Sequence, residues 1–495
     1  MAAPSRDYGR IILPPSTYAQ EKEKIETRLP SAIRFLAEAG LNELIPGEAA
    51  TDIGICLQGG LYNNTLRALE LLGCADTFGN SGIPLYVLNA TYPLVPQEWV
   101  SFCSGKRAVL VVEEGQPEFI EQAANQILNQ HEVNTRIVGK EVLPLYGEYT
   151  VDALRKGIAA FIGKPPGKTV VSPESAAKLA ALVPPRPSGL CTGCPERPFF
   201  AAMKILQKEI GPLHISADIG CHSFATLPPF NMGNSIMGYG LGAAGASAFG
   251  TDGGKRAVAV MGDGGFWHNG LTSGIGNAVF NKHDDLTVII DNGYSAATGG
   301  QDIPSSRAAN DHRQGNNSIV EAVKGVGVKW VKRTHTYDMQ GTLQVLREAL
   351  RTPFRGPKVI VADGECQLNR QRRVKPLMRK AIKEGQRVIR ERFGVDPDTC
   401  TGDHSCIRLS GCPSLTVKDN PDPLRTDPVA HVDNSCVGCG VCGEVAHAAV
   451  LCPSFYRAEL VYNPSRWDRF LSSIRSVVID TLQRRSERNR LRHVL

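Results

Sequence analysis

Three apolar runs constrain this chain before anything else does. KRAVAVMGDGG (255–265), DLTVIIDNG (285–293) and GPKVIVADG (356–364) are each rich in aliphatic residues and stop at a Gly/Asp turn. Unbroken apolar runs of this length, bounded by turn residues, mark strands buried on both faces, as in parallel sheets covered by helices. Ligands of open α/β sheets bind outside the carboxyl ends of such strands. The Gly/Asp turns are therefore where chemistry is expected. Earlier in the chain, DIGICL, IPLYVLN, RAVLVVEEG and TRIVGK read as strands alternating with the helical stretches NNTLRALELLGC and EFIEQAANQILNQH. That alternation predicts a second parallel sheet.

A length of 495 residues suits about three domains. The boundaries read as an N-terminal extension (1–45), an α/β domain (46–165), a second α/β domain (185–370), a basic helical linker (371–395), a cysteine-rich domain (396–460) and a C-terminal helix (461–495). The first α/β domain ends near Gly163, and the Pro-rich VPPRPSG follows it as a linker. Apolar residues make up 42% and charged ones 21%, ordinary for a soluble globular protein. No apolar run reaches the ~18 residues of a membrane span. The N-terminus lacks the apolar region of a signal peptide, so a cytoplasmic location is expected. Net charge is +6, much of it in the terminal RRSERNRLRHVL. That segment reads as a solvated helix end or as a docking site for an acidic partner such as a small electron carrier. No nucleic-acid module is present.

The segment VMGDGGFWHNGL places Gly262, Asp263, Gly264 and Gly265 just after a strand. Asn292 follows Asp263 by twenty-nine residues, just after the next strand, in VIIDNGY. Adjacent parallel strands would set these turns side by side. Mg²⁺ takes about six oxygens in octahedral geometry, several of them from substrate phosphates. Asp263 can supply a carboxylate, Asn292 an amide oxygen and Tyr294 a backbone carbonyl. The glycines would let the backbone approach a diphosphate. A GDG alone is usually a turn; GDG with Asn at this spacing, both at strand ends, resembles the thiamine diphosphate (TPP) signature. The continuation DNGYSAATGGQ (291–301) resembles the cofactor loop of the 2-oxoacid:ferredoxin oxidoreductases. Within that superfamily, the large (α) subunit of indolepyruvate ferredoxin oxidoreductase is most similar, over most of the chain and in the same domain order. The resemblance implies a transketolase C-terminal-like α/β domain, then a TPP-binding α/β domain, then a two-cluster ferredoxin-like α+β domain. It also implies that NMGNSIMGYGLGAAG (231–245) lines the cofactor, with Met232 and Gly233 as the weakest site residues. A Gly-rich packed helix start is the plain alternative.

Fourteen cysteines in a chain of this kind argue for metal or redox chemistry rather than disulfides. GLCTGCPERP holds Cys191 and Cys194, ADIGCHSF holds Cys221 and VADGECQL holds Cys366. Spacing alone leaves a cluster, a zinc site and unrelated buried cysteines comparably open. The family resemblance implies that these four hold a 4Fe–4S cluster next to TPP. Further on, CVGCGVC supplies Cys436, Cys439 and Cys442, followed by Cys452-Pro453. CTGDHSCIRLSGCP supplies Cys400, Cys406 and Cys412-Pro413. In two-cluster ferredoxins the Cys-Pro cysteine of each half serves the other half's cluster. Crossing the halves groups Cys412, Cys436, Cys439 and Cys442 as one complete 4Fe–4S set. The other set is Cys400, Cys406 and Cys452, with Asp403 where a thiolate is missing. Carboxylate is a harder ligand and suits iron–sulfur sites less well. Asp403 is then the fourth ligand of a 4Fe–4S cluster, or the site holds 3Fe–4S, or His404 reaches instead, or the site is empty and Asp403 is a turn residue. Cys56, Cys74 and Cys103 remain as small buried hydrophobes.

The resemblance implies oxidative decarboxylation of a 2-oxoacid with CoA, giving acyl-CoA and CO2, with electrons passed through three iron–sulfur clusters to ferredoxin. Its nearest members act on arylpyruvates such as indolepyruvate and phenylpyruvate. Another 2-oxoacid, phenylglyoxylate or branched-chain, is the alternative within the class. An electron-transfer subunit with vestigial TPP residues, and a non-oxidative TPP decarboxylase, are the readings outside it. In the family's α subunit a further TPP domain, facing the pyrimidine ring and carrying the activating glutamate, precedes the region like 45–140. A separate subunit is expected to supply it and the γ-type domain, in a hetero-oligomer with shared active sites. No catalytic residue is assignable here: Glu113 and Glu114 lie at a strand end but match no such role.

Overall fold

The computed structural model describes residues 7–47, 51–167, 172–183, 188–249, 255–307 and 311–494. The core of the linker VPPRPSG, residues 184–187, lies outside them. The chain forms two compact units, Met1–Pro185 and Arg186–Leu495.

The first unit is built on a five-stranded sheet in the order β1-β3-β2-β4-β5. β2 (Ile53–Gln58), β3 (Leu85–Leu88), β4 (Ala108–Val112) and β5 (Arg136–Val138) are the four expected strands and run parallel. β1 (Glu43–Ile45) joins antiparallel to β3, at the end of the stretch read as an extension. Successive residues of the central strands enter different cores. Ile55, Leu57 and Leu110 pack with Leu69, Leu154 and Ile158 on one face. Cys56, Val109 and Val111 pack with Tyr86, Trp99 and Ile120 on the other. Two buried faces explain why these strands read as unbroken apolar runs. The helix Val151–Ile162 closes the unit: Thr150 Oγ1 accepts from Ala153 N, and Gly163 ends the helix at φ +68°, where a side chain would be strained. Cys56 and Cys103 are buried as expected, but Cys74 is only part-buried, its Sγ 3.5 Å from Lys164 Nζ.

The second unit contains a fully parallel six-stranded sheet, order β10-β11-β9-β8-β6-β7. Its strands are β6 (Ile215–Ala217), β7 (Ser235–Ile236), β8 (Val258–Gly262), β9 (Leu286–Asp291), β10 (Trp330–His335) and β11 (Lys358–Asp363). Val258, Val260, Val288 and Ile290 face one core; Ala259, Met261 and Ile289 face the other. The first of these cores is filled by the helix Glu196–Ile210, through Phe199, Phe200, Met203 and Leu206. The same core takes in Leu409, Val441 and Val445. The cysteine-rich region is therefore packed onto the sheet domain, not strung behind it.

That region has two antiparallel pairs, β12 (Val388–Val395) with β15 (Phe455–Tyr462) and β13 (Leu415–Lys418) with β14 (Val429–Val432), and the helices Ser405–Ser410 and Val441–Val450. The expected helical linker is helical only from Gln367 to Lys383. Val388–Val395 is instead a strand, because all eight residues pair with Phe455–Tyr462. The final helix, Arg466–Val494, leaves Trp467, Phe470, Ile474 and Val477 exposed. Among the described residues, no helix is long and apolar enough to cross a membrane.

Leu57, fully buried in β2, reports on the first unit. Leu57→Ala should cost about 2–5 kcal/mol, the range for a large-to-small change in a packed core. Urea unfolding followed at Trp99, buried in the same unit, should show a lower midpoint than the parent.

Candidate cofactor and cluster sites

β8 and β9 are hydrogen-bonded neighbours, with Gly262 opposite Ile290, so the Asp263 and Asn292 turns are adjacent. Asp263 is buried. Its Oδ1 accepts from Gly264 N at 2.9 Å, and its Oδ2 accepts from Asn292 N at 2.8 Å and Gly293 N at 2.5 Å. Asn292 Oδ1 in turn accepts from Tyr294 N at 3.1 Å. Burial, and then the neighbouring Asp291 carboxylate, push the Asp263 carboxyl up to about 8 against the pull of these N–H groups. A buried carboxylate held by backbone donors beside a second acid fits a cation as its missing counter-charge.

The glycines around it do something other than open a path to phosphate. A Cβ on Gly264 would strike Tyr239 Oη and Ser295 Oγ, and one on Gly265 would strike Asp218 Oδ2. Their space is taken by the protein's own polar side chains, and Tyr239 Oη meets Ser295 Oγ at 2.7 Å. Only at Gly262 is the nearest neighbour distant, His222 Cε1 at 3.7 Å. Within the 231–245 segment, Tyr239 and Gly240 are the residues whose contacts with this turn are defined. Met232 is buried in the core with Phe200 and Phe230, and Gly233 turns at φ +99° against Thr226.

Three buried ionisable residues escaped the reading of the sequence. Asp218 follows β6 at the same sheet edge; its Oδ2 accepts from Gly240 N at 2.8 Å and its Oδ1 pairs with His222 Nε2. Glu196 is pushed up to about 7, by burial first, with His222 opposing and Asp218 adding. Burial alone would lower the His222 pKa, but Asp218 more than offsets it and the net direction is up. His222 Nδ1 and Glu196 Oε2 have no hydrogen-bond partner among the described residues. The detectable signal was Asp218 itself, an acid directly after a strand, like Asp263.

Cys191, Cys194, Cys221 and Cys366 converge beside this edge. Cys191 and Cys194 form a turn closed by Cys194 N donating to Cys191 O at 3.0 Å, directly before the helix Glu196–Ile210. Cys221 opens the turn after β6, and Cys366 precedes the helix Gln367–Lys383 after β11. Cys221 lies within electrostatic reach of Cys191, Cys366 and Asp263, and Cys194 within reach of Cys221. The Cys366 N–H donates to Asn292 O at 3.1 Å, tying this thiol group to the Asp263–Asn292 turns. Burial pushes Cys221 up to about 12 and Cys194 well above its usual range.

The cysteine-rich region presents two pockets. Cys412, Cys436, Cys439 and Cys442 line one, and Thr192, Gly193, Cys194 and Arg197 complete its wall. Cys400, Asp403, Cys406 and Cys452 line the other, with His404. Burial raises Cys439 and Cys406 to about 11 each. Asp403 Oδ1 accepts from Ser405 N at 3.0 Å and Oδ2 from Ser405 Oγ at 2.9 Å, capping the helix Ser405–Ser410 and holding the carboxyl below its ordinary range. His404 Nε2 is 3.0 Å from Pro428 O, so one ring nitrogen is already engaged. Among the described residues, no three His, Cys, Asp or Glu side chains form a group that could hold a single metal ion.

The class comes from the stretch that carries both turns: residues 218–362, which include Asp263 and Asn292, match the family described as "Thiamine pyrophosphate enzyme, C-terminal TPP binding domain". Beyond that domain, the chain is 31% identical over 418 residues to indolepyruvate oxidoreductase subunit IorA of Pyrococcus abyssi, covering 81% of this chain and 60% of that one. The same subunit of Thermococcus kodakarensis is 30% identical with the same coverage. That of Archaeoglobus fulgidus is 29% identical over 91% of this chain and 69% of its own. The chain is thus similar to this subunit over most of its own residues, and it spans about 60% of the length of the Thermococcus relative. A solved 2-oxoglutarate:ferredoxin oxidoreductase from Magnetococcus marinus aligns with 37% of this chain and 66% of that one, at 18% identity and a TM-score of 0.32, too slight a likeness to carry an argument.

The raised Asp263 pKa has a consequence for Mg²⁺. A Mg²⁺ held at Asp263 would need the ionised carboxylate, so below about pH 8 a proton would have to leave on binding. Calorimetric titration of the cofactor-free chain should show Mg²⁺ affinity falling by up to about tenfold per pH unit below that point, and levelling above it. A flat profile between pH 6 and 8 would contradict the buried-acid picture.

Proposed function

We propose that this chain is the TPP- and cluster-bearing part of an oxidoreductase that decarboxylates an arylpyruvate oxidatively, forming acyl-CoA and CO2 and reducing ferredoxin. The observation that carries the reading is the Cys366 N–H···O=C Asn292 bond, which joins a four-thiol group to the turn expected to hold the diphosphate. A TPP domain without redox work has no need of four thiols gathered at that edge, two of them, Cys194 and Cys366, buried. The names of the relatives support indolepyruvate-type substrates.

Asp263, Asn292 and Tyr294 would hold Mg²⁺, with Gly262 at the roomiest approach to the diphosphate and Gly264 and Gly265 shaping the turn. When bound, the cofactor supplies the electron sink for loss of CO2 from a 2-oxoacid. Asp263 is oriented by its three backbone donors, so it needs no reorganisation to meet a cation. Cys191, Cys194, Cys221 and Cys366 would hold the proximal 4Fe–4S cluster. Cys412, Cys436, Cys439 and Cys442 would hold a second, and Cys400, Asp403, Cys406 and Cys452 a third, 4Fe–4S or 3Fe–4S. One-electron centres match an acceptor such as ferredoxin. Their free thiols suit a reducing cytoplasm. A partner subunit is part of this reading, because the relatives are themselves named as subunits.

Asp263→Ala in the complex purified without oxygen should lose bound TPP and 2-oxoacid-dependent viologen reduction, with its iron content kept. Turnover in that variant would sink the catalytic reading. Separately, Asp403→Cys should change the EPR signal of one cluster only and raise its resistance to iron loss. An unchanged signal and iron count would mean that Asp403 is only the cap of Ser405–Ser410.

A further inference from the structure

We propose that Arg197 is an electrostatic link between the cluster at Cys191, Cys194, Cys221 and Cys366 and the cluster at Cys412, Cys436, Cys439 and Cys442, a single buried cation that raises both reduction potentials together. The inference rests on the proposal above that both thiol groups carry iron–sulfur clusters.

Arg197 lies in the first turn of the helix Glu196–Ile210 and is 4% exposed. Its guanidinium bridges two loops far apart in sequence. Nε donates to Cys191 O at 2.8 Å. Nη1 donates to Gly411 O, the residue directly before Cys412, and more weakly to Ser410 O at 3.4 Å. It lies within electrostatic reach of Cys194 and Cys191 from one group and of Cys412 and Cys439 from the other.

The acceptors in these bonds are all backbone carbonyls. A buried cation without a carboxylate is costly, and carbonyls alone do not require a charge, since a neutral amide donates to them as well. The anions available to it are the thiolates on either side. A cluster ligated by four thiolates carries net negative charge that grows by one on reduction, and net charge is one of the factors that set its potential. A fixed cation in a low-dielectric wall therefore favours the reduced form of whatever cluster it faces. Arg197 faces two.

The wall itself is shared. Tyr337 Oη donates to Gly193 O at 2.6 Å, and Gln367 Nε2 donates to Tyr337 Oη at 3.3 Å. Gly193 turns at φ +72°, and a Cβ there would strike Val437, between Cys436 and Cys439. The turn holding Cys191 and Cys194 is thus part of the lining of the second pocket. The Asp403 pocket has a different arrangement. Its neighbouring guanidinium, Arg425, donates to Cys400 O at 3.1 Å but is paired with Asp427 at 2.5 Å. Its charge is compensated, and its bond is to the backbone of one thiol group only.

The test compares the parent, Arg197→Gln and Arg197→Lys in the native complex purified anaerobically, by iron count and EPR-monitored redox titration. Signals are assigned with Cys221→Ser and Cys439→Ser. In Arg197→Gln both linked midpoints should shift to lower potential while the Cys400-group midpoint stays in place. In Arg197→Lys, which keeps the charge, both should stay near the parent's. A fully loaded Arg197→Gln in which either linked midpoint is unmoved overturns the link. So does an Arg197→Lys that shifts as far as Arg197→Gln, since packing and not charge would then be responsible. Should Arg197→Gln fail to load, spin–spin broadening between the two signals in the reduced parent decides: broadening supports the shared wall, and its absence overturns it. A parent lacking either cluster would overturn the proposed function instead.

Discussion

The helix Glu196–Ile210 is the element on which the second unit depends. Its apolar side fills the core beneath the six-stranded sheet and, in the same core, meets Leu409, Val441 and Val445 from the cysteine-rich region. Its first turn follows Cys194 and carries Glu196 and Arg197, both buried. Hydrophobic burial is non-directional and scales with area; here it brings three groups of chemistry within reach of one helix end. The thiol loop, the carboxyl edge of the sheet and the second thiol pocket are held in register by packing that is itself ordinary.

That packing has an electrostatic cost. Asp263, Glu196, Cys194, Cys221 and Cys442 are pushed toward their neutral forms by burial. Asp218 and His222 compensate each other, and Arg197 has only carbonyls as hydrogen-bond acceptors. A protein with so many buried ionisable groups gains stability when counter-ions arrive, because metal ligation needs the deprotonated side chain.

Much of this was legible in the residues. Strands β2 to β5, β8, β9 and β11 appear where unbroken apolar runs end in turn residues, since burial on both faces leaves that mark. The Asp263–Asn292 adjacency followed from two consecutive strands pairing in parallel. The grouping of thiols in the cysteine-rich region followed from the crossing of Cys-Pro cysteines between halves. Other features left weaker marks. β1, β6 and β7 are two or three residues long and have no periodicity to detect. β12 was read as helix because VIRERFGV is rich in charge; its strand state is imposed by eight pairings with Phe455–Tyr462. Gly264 and Gly265 were read as room for a ligand, yet their space is filled by Tyr239, Ser295 and Asp218 from distant segments.

The sequence by itself determined the two sheets, the strand ends that carry Asp263 and Asn292, and which cysteines share a pocket in the cysteine-rich region, because these are matters of local periodicity and fixed spacing. Tertiary structure alone decided that Asp218, His222 and Glu196 form a buried group beside the thiols, and that Arg197 spans from Cys191 to Gly411. The last of these joins segments more than two hundred residues apart in one core, and no local pattern encodes such a meeting.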